Sequence, residues 1–206
     1  TSDADAWALL AATLTASAEA AWRGGADPRP EATRLFLDLS AEADEAGGLA
    51  LALRPDHPVA AVARLASGRA MGLDLPAWSD RMAVARRARR TLYAAHQQFL
   101  QVTSATWFGS HRTMFEFARP LAVHAPVGDP IGALLVTAWC ELEAANGDPA
   151  EAGADRRADR ALVAEAAGRW VAGGPGALMH PYALEAHHAF GTFLAEDPPT
   201  FRFHLA

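Results

Sequence analysis

The chain has 206 residues, 51% of them hydrophobic, with one cysteine and a formal net charge of −6 at pH 7. The lone Cys140 excludes an intrachain disulfide and gives no sign of an oxidising compartment. The acidic balance argues against general binding to nucleic acid or anionic membranes, since the phosphate term needs clustered positive charge. No apolar run approaches the roughly 18 to 20 residues of a membrane span. A cytoplasmic single domain over residues 1–206 is expected, long enough to bury about two thirds of its unfolded surface. All 18 cationic side chains are arginine, which reads with the abundant alanine as codon bias in a GC-rich genome.

In chain order, Ser2 to Arg23 predicts a helix with Trp7, Leu10, Leu14 and Ala18 at helical spacing. Ser2 or Asp3 is its cap and Gly24-Gly25 its end. Pro28 and Pro30 lead into a second helix, Glu31 to Ala46, with Leu35, Leu39 and Ala43 inward and Gly47-Gly48 as the stop. A turn at Arg54 to Pro58 precedes a third helix to about Met71, with Pro58 at a position that tolerates it. Trp78-Ser79-Asp80 is read as the start of a fourth helix, which runs to about Arg90. It ends in Arg86-Arg87-Ala88-Arg89-Arg90, cations where the helix dipole favours them.

The stretch from Leu92 to Pro126 organises the rest. Leu92, His96, Phe99, Val102 and Thr106 form one helical stripe. Gly109 is expected to stop that helix in the left-handed conformation, and Ser110 to cap the next. The second helix carries Met114, Phe117 and Leu121, and Pro126 closes it. Further on, Asp129 with Pro130 starts a helix through Leu135 and Leu142, and Asn146 to Pro149 breaks it. Asp155 to Val171 is helical, Gly173 to Gly176 is a loop, and Pro181 starts a last helix through His187, Phe190 and Leu194. The tail after Pro198-Pro199 is short and aromatic. No period-2 alternation is bounded by turn residues, so the expectation is all-α.

Helix, Gly turn, helix and Pro make the layout of a tetratricopeptide repeat, and Gly109 to Pro126 has its glycine-to-proline spacing. The run Trp107 to His111, with Met114, Phe117, Ala118 and Arg119, resembles a group of functionally uncharacterised actinobacterial tetratricopeptide-like proteins. The match covers Leu92 to about Ala145. It implies stacked antiparallel helical hairpins, a degenerate α-solenoid, and no activity.

Candidate chemistry is sparse. Glu185-Ala-His187-His188 has the Glu-x-x-His spacing of a di-iron ligand pair, but a second such motif is missing, so no metal is expected. His187 is then read as a core histidine, with Glu185 and His188 in water. Cys140 sits mid-helix and is read as a small buried hydrophobe. Four arginines at Arg86 to Arg90 could grip a phosphate or an acidic partner, or simply be solvated. No phosphate loop or nucleophile elbow occurs, so no catalytic residue and no cofactor are assigned.

The expected role is therefore a scaffold that binds a protein or peptide on a concave groove. The candidate surface is Gln97, Gln98 and Gln101 with His96, Trp107 and His111; Trp107 is read as a core knob and His111 as an exposed first-turn residue. The alternative is a small-molecule pocket between helices, lined by His96, His111, Trp107 or Trp139.

Overall fold

The computed structural model describes residues 2–22 and 30–195. The expected glycine stop at 24–25, the Pro28 lead-in and the aromatic tail lie outside them. The described chain is helical throughout, without a strand. Its helices are α1 (Ala4–Trp22), α2 (Pro30–Leu53), α3 (Pro58–Ala70), α4 (Leu75–Ala88), α5 (Tyr93–Thr103), α6 (His111–Val123), α7 (Leu134–Ala144), α8 (Arg156–Val171), the single turn α9 (Pro175–Leu178) and α10 (Ala183–Leu194). A 3-10 turn at Pro130–Ala133 precedes α7. No described helix is long and apolar enough to cross a membrane.

Caps are where sequence and structure agree best. Asp3 accepts from the amides of Asp5 and Ala6, and Ser110 from Thr113 at 3.1 Å. Asp129 accepts from Ile131, and Asp155 from both Arg157 and Ala158. Each satisfies amides that a helix start leaves without a partner.

Several boundaries differ from expectation. Gly47-Gly48 does not stop α2, which runs on to Leu53. A Cβ on Gly47 would lie 2.7 Å from Arg64 Cγ and 3.3 Å from the Ala60 carbonyl, so this glycine serves close helix approach. Asp74 rather than Trp78 opens α4, and Trp78 is wholly buried one turn in. The Gly173–Gly176 stretch is not all loop, since α9 begins within it.

The chain divides into two compact units, with the boundary inside α5 between Phe99 and Leu100. In the first, Asp5 at the start of α1 meets Arg54 and His57, which sit between α2 and α3. Arg69 near the end of α3 reaches Glu19 near the end of α1. Thus α1 runs antiparallel to α2 and parallel to α3. Their seam is built of alanine: Ala8, Ala50 and Ala60 form one layer, and Ala11, Ala46 and Ala63 the next. Such small side chains bring the axes close and multiply dispersion contacts that are individually slight. Leu35, expected inward, is half exposed, because the buried arc of α2 is Ser40, Ala43, Ala46, Gly47 and Ala50.

One aspartate ties the outer helices of this unit. Asp44 of α2 takes Arg64 and Ser67 of α3 and, at 2.5 Å, Arg81 of α4. Burial alone would raise its carboxyl pKa; the bonds and charges of Arg64, Arg81 and Ser67 overcome that and hold it below the usual value.

The second unit packs α6 against α7 and α8, and α8 against α10. Phe115 meets Trp139 edge-on, and Trp139 continues to Phe193. Arginine forks close the helix ends: Arg169 donates to the carbonyl of Ala122 in the last turn of α6 and to that of Ala125 just past it, and Arg160 to those of Phe193, Leu194 and Ala195 at the end of α10. Guanidinium geometry suits paired carbonyls in a way an ammonium does not.

The alanine seam should resist enlargement. Ala63→Leu is expected to destabilise by about 1–3 kcal/mol, the usual cost of overpacking, with helicity retained. An unchanged urea midpoint would show that the three helices are not in register at this layer.

Candidate functional site

The central hairpin is built from its turn outward. Helix α5 ends at Thr103, one turn before the expected Thr106, which is exposed. The amide of Trp107 then bonds the Ser104 carbonyl, Phe108 reaches back to Val102, and Gly109 to Ser104. Gly109 is not in the left-handed region; the glycines that are lie at 72, 128, 153 and 174. What requires glycine is proximity, since a Cβ there would fall 2.1 Å from the Thr103 carbonyl oxygen.

This early stop reverses the expectation for Trp107. It is not a core knob: Trp107 is 38% exposed and Phe108 43%, with ring centroids 6.4 Å apart. Both sit past the end of α5, in the turn that leads to Gly109. The hairpin turn therefore presents an aromatic pair outward.

The other expected surface residues are less open. His96 is buried at 1% exposure, and its Nδ1 lies 2.9 Å from the Leu92 carbonyl. Gln97, Gln98 and Gln101 are half-buried along α5, and Gln98 Oε1 is enclosed without a hydrogen-bond partner. His111 is half-buried rather than exposed: its ring packs so tightly on Gly147 that a Cβ there would come within 2.8 Å of it. His111 Nε2 is enclosed and unpartnered. By the unit boundary, His96, Gln97 and Gln98 belong to the first unit, and Gln101, Trp107 and His111 to the second.

Reading the sequence for chemistry missed the second unit's most constrained group. Asp159 of α8 is 1% exposed. Arg119 of α6 grips it with both arms of its fork, Nε to Oδ1 at 2.7 Å and Nη2 to Oδ2 at 3.0 Å. The indole N–H of Trp139 in α7 adds a third bond at 3.2 Å. Arg119 also donates to the Gly153 carbonyl and lies over the Phe115 ring. The signal was present, because Asp159, Val163, Ala166 and Trp170 recur at spacings of four, three and four.

The remaining candidates resolve as follows. His187 is exposed, not in the core; the buried stripe of α10 is Ala183, Ala186, Ala189, Phe190 and Phe193, one position off. Its ring lies 6.3 Å from Trp170, and His188 faces solvent too. No group of three His, Cys, Asp or Glu side chains among the described residues is placed to hold a metal ion. Cys140 is half-buried, and burial with the charges of Glu143 and Glu141 pushes its thiol up to about 11, so it stays protonated near neutrality. Trp139, a proposed pocket wall, is buried and spends its N–H on Asp159.

Fold and site together define a class, an all-α protein that displays an aromatic pair on a locked turn. No protein-family model matches the chain, and no curated protein or solved structure matches it.

The turn gives a direct check. Gly109→Ala is expected to destabilise by about 1–3 kcal/mol or more through overpacking against Thr103, and to change Trp107 fluorescence. Wild-type unfolding in the variant would refute the close approach.

Proposed function

We propose that this chain is a tetratricopeptide-like helical scaffold that binds a protein or peptide segment. The observation that carries the reading is the Trp107–Phe108 pair, exposed at 38% and 43% on a turn braced by backbone hydrogen bonds. Aromatic side chains are enriched in interface cores and hot spots, and a rigid turn lowers the entropy lost when they are covered. Stacking of successive helical hairpins is part of the same proposal. It is supported by the short connections between consecutive helices and by the antiparallel α1–α2 pairing.

The half-buried Gln101 lies on the same unit as the pair. Its contribution is secondary to that of the rings.

A displayed random-peptide library panned on the purified protein tests this. Enriched peptides should lose at least ten-fold in affinity, about 1.4 kcal/mol, on a Trp107→Ala, Phe108→Ala variant of unchanged helicity. Failure to enrich any peptide, or equal affinity for the variant, would contradict the proposal.

A further inference from the structure

On α2 the exposed positions Glu31, Leu35, Asp38, Glu42, Glu45 and Leu49 recur at spacings of four, three, four, three and four. At about 100° per residue they fall within an arc of about 80°, one continuous stripe along the helix. The stripe is not smooth. A cleft of about 320 Å³, lined by Pro30, Glu31, Arg34, Leu35 and Asp38, indents one end of it. Leu35 is 50% exposed and Leu49 40%, which brackets the acids with apolar contacts. None of the four carboxylates makes an ion pair among the described residues, whereas Asp44 on another side of the same helix is held by Arg64 and Arg81.

The same unit carries the opposite charge elsewhere. Arg86, Arg87, Arg89 and Arg90, at and just past the end of α4, are all exposed and have no carboxylate partner among the described residues. Arg54, Arg64, Arg69 and Arg81, by contrast, are all paired within the unit. Among the described residues, a chain with a net charge of −6 thus keeps four cations without an ion pair at one helix end and four such anions along one helix face. Asp38 to Glu45 spans about 10 Å along the axis at 1.5 Å per residue. That length is commensurate with four arginine side chains grouped at one corner.

We propose that the occupant of the α2 stripe is a second copy of this chain, presenting its Arg86–Arg90 corner. Charge complementarity within one sequence selects this partner: each copy carries both halves of the contact, and neither half is ion-paired among the described residues. Two copies exchange both contacts across a twofold axis, or copies join head to tail. Leu35 and Leu49 flank the ionic centre and exclude water from its ends. Exposed ion pairs are individually weak and screened by salt, so the association is weak and sensitive to ionic strength. This surface is separate from the Trp107–Phe108 turn, and neither reading depends on the other.

Sedimentation equilibrium on the full chain tests it, in about 0.02 M and about 0.5 M salt, where the screening length changes several-fold. Two variants are needed, Arg86→Glu with Arg87→Glu and Arg90→Glu, and Asp38→Arg with Glu42→Arg and Glu45→Arg. Wild type should self-associate at low salt and weaken at least ten-fold at high salt. Each variant alone should be monomeric, and an equimolar mixture of the two should associate again. The milder Glu42→Gln, Glu45→Gln variant, which leaves the helix intact, should weaken self-association in the same direction. A monomeric wild type at low salt would overturn the proposal. So would association indifferent to either reversal, or a mixture that fails to restore it.

Discussion

A carboxylate at 1% exposure sets the terms for the second unit. An ionised group taken out of water is costly unless its oxygens are bonded and its charge is matched. Asp159 meets both demands, with the Arg119 fork on its two oxygens and the Trp139 indole on one of them. Those partners come from α6 and α7, and Arg119 extends the link to Gly153 ahead of α8. Three helices are thereby indexed to one side chain. The hydrophobic contacts of Phe115, Trp139 and Phe193 fill the space around it, but they do not by themselves dictate which turn of α8 faces which turn of α6. Asp44 plays the corresponding part in the first unit, joining α2 to α3 and α4 around an alanine seam too smooth to fix its own register.

Arginine has two uses in this chain. Some guanidinium groups work inside each unit, on Asp44, on Asp159 and on the terminal carbonyls of α6 and α10. Others crowd the end of α4 in solvent. Codon bias accounts for the choice of arginine over lysine as a habit of the genome. It does not account for the fork geometry of Arg64 on Asp44 and Arg119 on Asp159, two N–H donors from separate nitrogens that a single ammonium nitrogen cannot match.

How much of this was legible follows the physics of each residue. Caps were, because an aspartate or serine before an apolar stripe has a local reason to be there; Asp3, Asp129 and Ser110 sit as expected. Gly47 was misread because a glycine that lets two helices touch has the same letter as one that ends a helix. Gly109 was placed correctly at a turn but for the wrong cause, conformation in place of proximity. Trp107 was assigned to a helix-pair interface because it stands beside the turn, yet α5 ends before it and leaves it 38% exposed. His187 failed by a single position of phase. Asp159 lay open to a reading of spacing alone, because it shares its stripe with Val163, Ala166 and Trp170.

The Arg119–Asp159 pair holds the helices of the second unit in register, and a double-mutant cycle addresses it directly. Arg119→Met alone should cost about 3–5 kcal/mol by leaving Asp159 buried and unpaired. Adding Asp159→Leu should recover much of that loss, giving a coupling energy of about 2 kcal/mol or more in urea denaturation. Strictly additive effects would mean that the two side chains do not hold the helices of the second unit together.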